Sequence, residues 1–218
     1  TKQILIFLTI ILLSITAIRG GWQLRPIQIV NACSYATPQY LPLVLNTPFS
    51  IISTLGNKTT EKYMYFNNLE EAEKYFSPIQ NNFSTTNIQP QTTKNVIIIV
   101  LEGISQELMK FYQNNNLKCC SFLDSLAYKS LAFNGIANGK RTMEGIPAIV
   151  CGMPSLMSSA YIETPFAMNK IQYPVEILKN QGFNTYFFHG GENGTMNFES
   201  FCHSIGYQHY FGKNEYPE

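Results

Sequence analysis

The chain has 218 residues, of which 45% are hydrophobic and 13% are charged, and its formal net charge is +1. A balance so close to neutral gives no electrostatic reason to expect a nucleic acid as a partner. The length allows one domain with a substantial core and an appended segment. The five cysteines are an odd number without C-x-x-C spacing, so we expect neither a zinc site nor a disulfide framework.

The first predicted element is a transmembrane helix at residues 1–20. Its centre, ILIFLTIILLSITAI, is almost wholly apolar, with Lys2 before it and Arg19 after it. This apolar run falls short of the roughly 17–25 residues that span a bilayer, and a truncated amino terminus would account for the difference. The apolar region of a signal peptide and a buried core helix are the alternatives. Because the chain lacks an initiating Met and a clear terminating signal, we expect a fragment that is open at both ends.

Residues 21–94 are predicted to form a juxtamembrane connector outside the cytoplasm. From about residue 31 the composition is rich in amide and hydroxyl side chains, and the segment ends in the polar run STTNIQPQTTK at 84–94. A short helix is predicted at 68–76, in the sequence NLEEAEKYF. The globular pattern starts at Asn95 and continues to residue 218.

The globular part opens with the sequence NVIIIVLEG at residues 95–103. An apolar run of Val and Ile is typical of a strand that is buried on both faces, as parallel strands usually are. Glu102 is then expected at the carboxyl edge of that strand, where ligands bind in open α/β sheets. An ionised carboxylate so near the interior needs a cation, a metal ion or a proton. A partly solvated strand end with a salt bridge is the alternative.

Helices and strands are predicted to alternate along the rest of the chain. Helices are expected at 105–112, 121–131, 172–182 and 197–206 and from Thr142 onward, and strands at 132–138 and 183–191. This alternation predicts an α/β layered fold.

Glu102, Thr142 and His189 each follow a predicted strand. The sheet topology would bring these strand ends to one edge. Thr142 also begins a helix, where free N–H groups stabilise an anion such as phosphate, and a hydroxyl held beside a metal ion can attack phosphorus. Lys140 and Arg141 lie next to it and could neutralise phosphate charge. The alternatives are that Thr142 is an N-cap and that His189 is a satisfied structural residue.

Three segments in order resemble one enzyme family. They are NVIIIVLEGIS, SFLDSLAYKSLAFNGIANGKRTMEGIPAIVCGMPSL and LKNQGFNTYFFHGGENGTMNFESFCHSIGYQHYFGKNEY. Together they resemble the sulfatase-like, lipoteichoic-acid-synthase branch of the alkaline phosphatase superfamily, over residues 94 to 216. The pattern G-x-R-T-x-E-G-x-P-A in the middle segment is the most specific part. The resemblance implies an alkaline-phosphatase-like layered sheet with helices on both faces, of which residues 95–218 form the amino-terminal part.

The resemblance also implies roles for single residues. Glu102 matches the metal-binding glutamate, and Thr142 matches the nucleophile, which also contacts the metal and takes phosphoglycerol from a lipid donor as phosphothreonine. His189 matches a histidine that contacts the substrate, and Lys140 and Arg141 are expected beside its phosphate. The implied cofactor is a divalent metal ion, namely manganese, magnesium or zinc. The implied location is a bacterial cell membrane, with the catalytic domain outside the cytoplasm and a lipid-linked phosphate as substrate.

Two features depart from the family pattern. The loop GGENGTMNFES after His189 lacks the tryptophan and the arginine that the synthases carry there. The sequence holds a single aspartate, Asp124, and no Asp-His pair, which the family uses to complete its metal site. We therefore expect this polypeptide by itself to bind metal weakly and to be inactive. The alternative functions are sulfate-ester hydrolysis, although the C/S-x-P-x-R pattern of classical sulfatases is absent, and a non-catalytic membrane-tethered binding domain.

Overall fold

The computed structural model describes residues 2–22, 26–55, 64–77, 95–113, 119–169, 171 and 173–217. The α-helices and strands are α1 (Lys2–Arg19), α2 (Leu41–Val44), α3 (Thr47–Thr54), α4 (Leu69–Glu73), α5 (Ser121–Tyr128), α6 (Thr142–Cys151), α7 (Pro174–Asn180), β1 (Tyr186–Phe188), α8 (Phe198–Ile205) and β2 (His209–Phe211). Short 3-10 helices lie at Ile29–Ser34, Pro38–Tyr40, Gln106–Leu108, Tyr161–Glu163, Pro165–Met168, Thr195–Asn197 and Lys213–Glu215. The chain divides into two compact units, one of residues 1–61 with 137–218 and one of residues 62–136.

The hydrophobic core of the first unit is built around α8. Phe198, Phe201, Cys202 and Ile205 recur at the spacing of one helical face, and all four are buried. The sequence prediction of a helix at 197–206 is confirmed, and the helix ends at Gly206 because that residue adopts the left-handed conformation, with φ at +101°.

The 3-10 helix Ile29–Ser34 packs against α8 and belongs to the same core. Val30 and Cys33 are buried among its apolar side chains. Nδ2 of Asn31 donates to Oγ of Ser200 over 3.2 Å, and Oγ of Ser34 lies 3.1 Å from the same hydroxyl. The start of the predicted connector is therefore part of the globular unit and not only a link to it.

Helices α6 and α7 begin close to the residues that the sequence indicates. Helix α6 starts at Thr142, buries Met143, Ile146 and Pro147, and ends at Gly152. Helix α7 starts at Pro174, whose ring presets the backbone angle of the first turn, where no N–H donor is needed. Both helices are defined by local signals, which explains why the sequence located them.

Strands β1 and β2 pair in parallel, and α8 makes the crossover between them. The register aligns Tyr186 with His209, Phe187 with Tyr210 and Phe188 with Phe211. Phe187 lies toward α8, with its ring centroid 6.2 Å from that of Phe198, whereas Tyr186 and Phe188 are exposed. The prediction of a strand within 183–191 is confirmed, over a shorter length.

The second unit contains α4, α5 and the turn Gln106–Leu108. Asp124 on α5 is buried, and its carboxylate accepts a hydrogen bond of 2.9 Å from the backbone N–H of Phe111. The ring of Phe111 packs edge-on against Tyr128. Asp124 therefore has a structural role, joining α5 to the preceding turn. Helix α4 confirms the prediction of a helix within 68–76.

Three predicted elements differ in the structure. Residues 95–101 are extended but form no strand, and their side chains are exposed, with Ile97 at 82%. Residues 132–138 also form no strand, and the helix predicted at 105–112 is reduced to a single 3-10 turn. For the two strands the physical reason is that strand backbone groups need a neighbouring strand, and the described residues of the second unit provide none.

The described chain thus mixes helices with short strands, which is consistent with an α/β fold. Helix α1 is long and apolar enough to cross a membrane: its 18 residues span about 27 Å, and none of them is buried. The polar run predicted at 84–94 lies outside the described residues.

Candidate active site

Thr142 is the first residue of α6 and is not its N-cap. Arg141 occupies the N-cap position, with extended backbone angles of −123° and 154°, and its side chain makes no capping bond. The Thr142 hydroxyl makes no hydrogen bond to any of the described residues. The interpretation of this threonine as a helix cap is therefore wrong, and its hydroxyl stands at the positive end of the helix dipole.

Glu144 braces the turn that leads into α6. One carboxylate oxygen accepts from the backbone N–H of Lys140 over 2.7 Å, and the other accepts from Nε of Arg141 over 2.8 Å. These hydrogen bonds, with the backbone bond from Lys140 first, lower the pKa of Glu144. The side chain of Glu144 takes over the role that a capping residue would have, because it binds a backbone N–H group ahead of the helix.

Gly139 permits this arrangement. Its φ is +108°, a backbone conformation that side-chain-bearing residues rarely adopt, and a Cβ there would lie 2.5 Å from Cβ of Glu144. The backbone conformation of the turn from Gly139 to Thr142 therefore depends on the glycine at position 139 and on the hydrogen bonds of the Glu144 carboxylate.

The two cations beside Thr142 differ in their surroundings. Nη2 of Arg141 lies 2.8 Å from the Glu144 carboxylate, so its charge is already balanced in part, although half of its side chain is exposed. Lys140 is exposed, and its ammonium group forms no ion pair with the residues that the structure describes. Lys140 is therefore the less compensated of the two positive charges next to Thr142.

His189 follows β1 directly and is held by contacts to β2 and α8. Its backbone N–H donates to the carbonyl of Phe211 over 2.8 Å, and Nδ1 lies 3.1 Å from the hydroxyl of Tyr210. The imidazole ring packs edge-on against Phe198. Burial lowers the pKa of His189 and raises the pKa of Tyr210, so both groups are neutral at pH 7.

The loop after His189 is tied to the residues that follow β2. The backbone N–H of Lys213 donates to the carbonyl of Gly191 over 2.9 Å, and Nδ2 of Asn193 donates to the carboxylate of Glu215 over 2.8 Å. A Cβ at Gly191 would lie 2.7 Å from Cε1 of His189. The imidazole thus lies against a glycine, where the close approach requires the absence of a side chain.

Glu102 lies in the second unit, whereas Lys140, Arg141, Thr142 and His189 lie in the first. Its side chain is exposed, at a bend that follows the extended residues 95–101. The structure therefore brings the two cations and Thr142 together in one turn and places His189 at the end of a strand in the same unit.

The described residues do not assemble a metal site. No group of three or more His, Cys, Asp or Glu side chains within them is arranged to hold an ion. Asp124, the one aspartate of the chain, is engaged with the backbone of Phe111. We therefore derive no chemical step through a metal ion.

The three cysteines of the first unit are buried or half-buried: Cys33, Cys151 and Cys202. All five are free thiols. Burial raises the pKa of Cys33 to about 11 and of Cys151 to about 12, so both stay protonated at pH 7.

Two residues of this region, Glu144 and Tyr210, were not predicted from the sequence. Glu144 had a local signal, because it lies three residues after Arg141 at a helix start, where acidic side chains reach back to the backbone. Tyr210 had none, because only the parallel pairing of β1 and β2 brings it to His189.

Comparison with known families gives one assignment. The family model described as Sulfatase matches residues 94–218, which is more than half of the chain and includes Glu102, Thr142 and His189. No solved structure matches the chain. The chain therefore belongs to the sulfatase family and is a sulfatase-like enzyme of the alkaline phosphatase superfamily.

Proposed function

We propose that this protein is a membrane-anchored, metal-dependent phosphotransferase of the lipoteichoic-acid-synthase type. It takes a phosphoglycerol group from a lipid-linked donor and passes it to an acceptor in the bacterial cell envelope. The observation that carries the proposal is the start of α6, where Thr142 occupies the first helical position beside Lys140 and Arg141.

The reaction uses Thr142 as the nucleophile. Its Oγ1 gives up its proton and forms a bond to phosphorus, the bond from phosphorus to the lipid oxygen breaks, and the departing lipid alkoxide takes up one proton in turn. The hydroxyl of the acceptor then attacks the phosphothreonine and regenerates Thr142. The free N–H groups at the start of α6 favour an anionic phosphate at this position.

Lys140, Arg141 and His189 are assigned to the substrate. Lys140 is the less compensated cation of the turn, and Arg141 can exchange part of its ion pair with Glu144 for the phosphate. His189, neutral at pH 7, would donate or accept a hydrogen bond at the group being transferred.

The proposed organisation places the anchor at residues 1–20, the connector at 21–94 and the first part of the catalytic domain at 95–218. The apolar character of α1 supports the anchor, and the proposal places the catalytic domain outside the cytoplasm. The match of the Sulfatase family model to residues 94–218 supports an alkaline-phosphatase-like layered sheet with helices on both faces.

Enzymes of this family generally use metal ions. The proposal assigns Glu102 and Thr142 as two of the ligands, and manganese, magnesium and zinc all suit a site that is rich in oxygen ligands.

Sulfate-ester hydrolysis is the second candidate, favoured by the match to the sulfatase family model. The chain carries Thr142 at the position of the nucleophile, whereas classical sulfatases modify a cysteine or serine there. Phosphodiester transfer therefore agrees better with the residue that is present.

The test is the Thr142→Ala variant of the full-length protein, assayed on a glycerophospholipid donor and on an aryl sulfate. We expect phosphodiester turnover to fall on the order of 10³-fold or more, as for the loss of a catalytic nucleophile. The free energy of unfolding should change by less than about 1 kcal/mol, because no hydrogen bond of the hydroxyl is lost. Mass spectrometry of the wild type should find phosphothreonine in the peptide that contains Thr142.

The matched control is Thr164→Ala, which removes the same hydroxyl group from a turn where it donates to the carbonyl of Tyr161. This variant should keep its turnover. Full phosphodiester activity in Thr142→Ala would remove the nucleophile from the proposal, and turnover of the aryl sulfate alone would favour the second candidate.

A further inference from the structure

A stretch without charged side chains follows α1. No Asp, Glu, Lys, Arg or His occurs between Arg25 and Lys58, and α2 and α3 lie within this stretch. A short break at Asn46 separates the two helices, and its side chain caps α3 by accepting from the backbone N–H of Phe49 over 3.2 Å. The segment is therefore an ordered pair of short helices with an uncharged surface.

The two helices bury few of their apolar side chains. Leu41 is buried in the core of the first unit. On the outside, five aliphatic side chains are exposed: Leu43 at 85%, Val44 at 45%, Ile51 at 54%, Ile52 at 70% and Leu55 at 72%. We call these five residues the 43–55 surface. Single exposed aliphatic residues are ordinary, but five within thirteen positions and without a charge among them are a concentration of exposed apolar side chains that marks an interaction site.

The chain ties this surface to the end of α1. After Arg19 the helix is closed by bonds from the backbone N–H of Gly20 to Ala17 and of Gly21 to Thr16. The N–H of Ile27 returns to the carbonyl of Arg19 over 3.1 Å, and two residues later the chain enters the core as Ile29–Ser34. The hydrogen bond from Ile27 to Arg19 therefore holds the entrance to the core at the end of α1.

The short distance along the chain from α1 indicates what buries the 43–55 surface. If α1 spans a bilayer, the segment that leaves it re-enters the protein at the membrane surface, and the nearest large apolar phase is the lipid. We propose that the 43–55 surface docks into the interfacial region of the same bilayer, so that the unit carrying Thr142 and His189 rests on lipid. The inference depends on the membrane anchor of the proposed function.

The absence of charge on the surface also predicts that the charge of the lipid headgroups does not affect docking. Interfacial helices that select anionic lipids carry Lys or Arg on their polar face. The charge-free stretch has neither, so its attachment relies on the burial of apolar side chains. The docking should therefore be equal on zwitterionic and on anionic membranes.

The test uses the single tryptophan of the chain, Trp22, which is exposed three residues after α1. The full-length protein is placed in phosphatidylcholine vesicles with or without bromine on the acyl chains, because bromine quenches a tryptophan that it contacts. The wild type reports on the anchor. Leu43→Trp and Ile52→Trp, each combined with Trp22→Phe, report on the surface. Lys179→Trp with Trp22→Phe is the control, since Lys179 is an exposed charged residue on α7.

We expect brominated lipid to remove most of the emission of Leu43→Trp and Ile52→Trp and little of the emission of Lys179→Trp. The quenching should not change when phosphatidylglycerol replaces part of the phosphatidylcholine. Quenching of Trp22 with none at positions 43 and 52 would overturn the docking and leave the anchor intact. The absence of quenching at all positions would overturn both. In a third outcome, the emission shifts to the blue as the protein concentration rises, and brominated lipid does not quench it. That result would assign the surface to a second copy of the chain and overturn the proposal.

Discussion

The hydroxyl of Tyr210 lies 3.1 Å from Nδ1 of His189, although 21 residues separate them in the sequence. The parallel register of β1 and β2 creates this contact, because it aligns Tyr210 with Phe187, two residues before His189. The phenol is neutral at pH 7, since burial raises its pKa. A phenol that donates to Nδ1 leaves the imidazole proton on Nε2, where Gly191 provides space.

Tyr210→Phe should disturb the tautomer of His189 without unfolding the protein. The variant keeps the ring and removes one neutral hydrogen bond, which is worth about 0.5–1.5 kcal/mol. We expect nitrogen NMR shifts of His189 to report Nε2–H in the wild type and a mixture of tautomers in the variant, with phosphodiester turnover reduced. Tyr207→Phe is the control, because that ring packs on Phe187 and the same group is removed from a neighbouring position. An unchanged tautomer in Tyr210→Phe would show that the contact does not orient the imidazole.

The stability of the first unit should depend on the protonation of His189. Burial holds its pKa below the ordinary value of 6.5, so the unfolded chain binds the proton more readily than the folded protein does. The stability from this group is fully present above pH 6.5 and is lost as the pH falls through the folded pKa. His189→Asn keeps a polar atom near Tyr210 but does not titrate. Urea unfolding of both proteins should show the wild type losing stability relative to the variant between pH 7.5 and pH 5. Parallel curves over that range would contradict the assignment.

Gly139→Ala should destabilise the turn before Thr142. The new Cβ would lie 2.5 Å from Cβ of Glu144, and the residue would keep a φ of +108°. Such backbone strain costs about 1–3 kcal/mol. Gly145→Ala is the matched control within α6, since its Cβ meets nothing within 4 Å and alanine favours a helix by roughly 0.5–1 kcal/mol over glycine. Denaturant midpoints should therefore move in opposite directions. Equal midpoints would mean that the turn relaxes and does not hold Thr142 rigidly.

Ile29→Ala should destabilise the first unit, because Ile29 is 7% exposed and begins the 3-10 helix that packs against α8. Truncation of a buried isoleucine costs about 2–5 kcal/mol. Ile51→Ala, at a position that is 54% exposed, makes the same chemical change on α3 and should alter the free energy of unfolding in detergent by about 0.5 kcal/mol or less. Chemical denaturation measures both. Similar values for the two variants would mean that Ile29–Ser34 is only a linker.

Local signals explain which elements the sequence revealed. Pro174 at the start of α7 and Gly206 after α8 mark helix ends through their own backbone preferences. The apolar spacing of α8 is complete within eight residues. Thr142 was correctly placed at a helix start for the same reason, since the turn GKRTME carries its own bracing residue, Glu144.

The sequence by itself determined the helices that begin at a proline or are followed by a glycine, the apolar helix α1 and the motif around Thr142, because each of these depends on neighbours within a few residues. Only the tertiary structure decided that Ile29–Ser34 packs on α8, that Tyr210 meets His189 and that residues 95–101 have no partner strand within the part of the chain that the structure describes. Those outcomes depend on which distant segments pair, and the hydrophobicity of one segment does not specify its partner. An apolar run such as NVIIIVL therefore predicts that a strand can form, and a neighbouring strand decides whether it does.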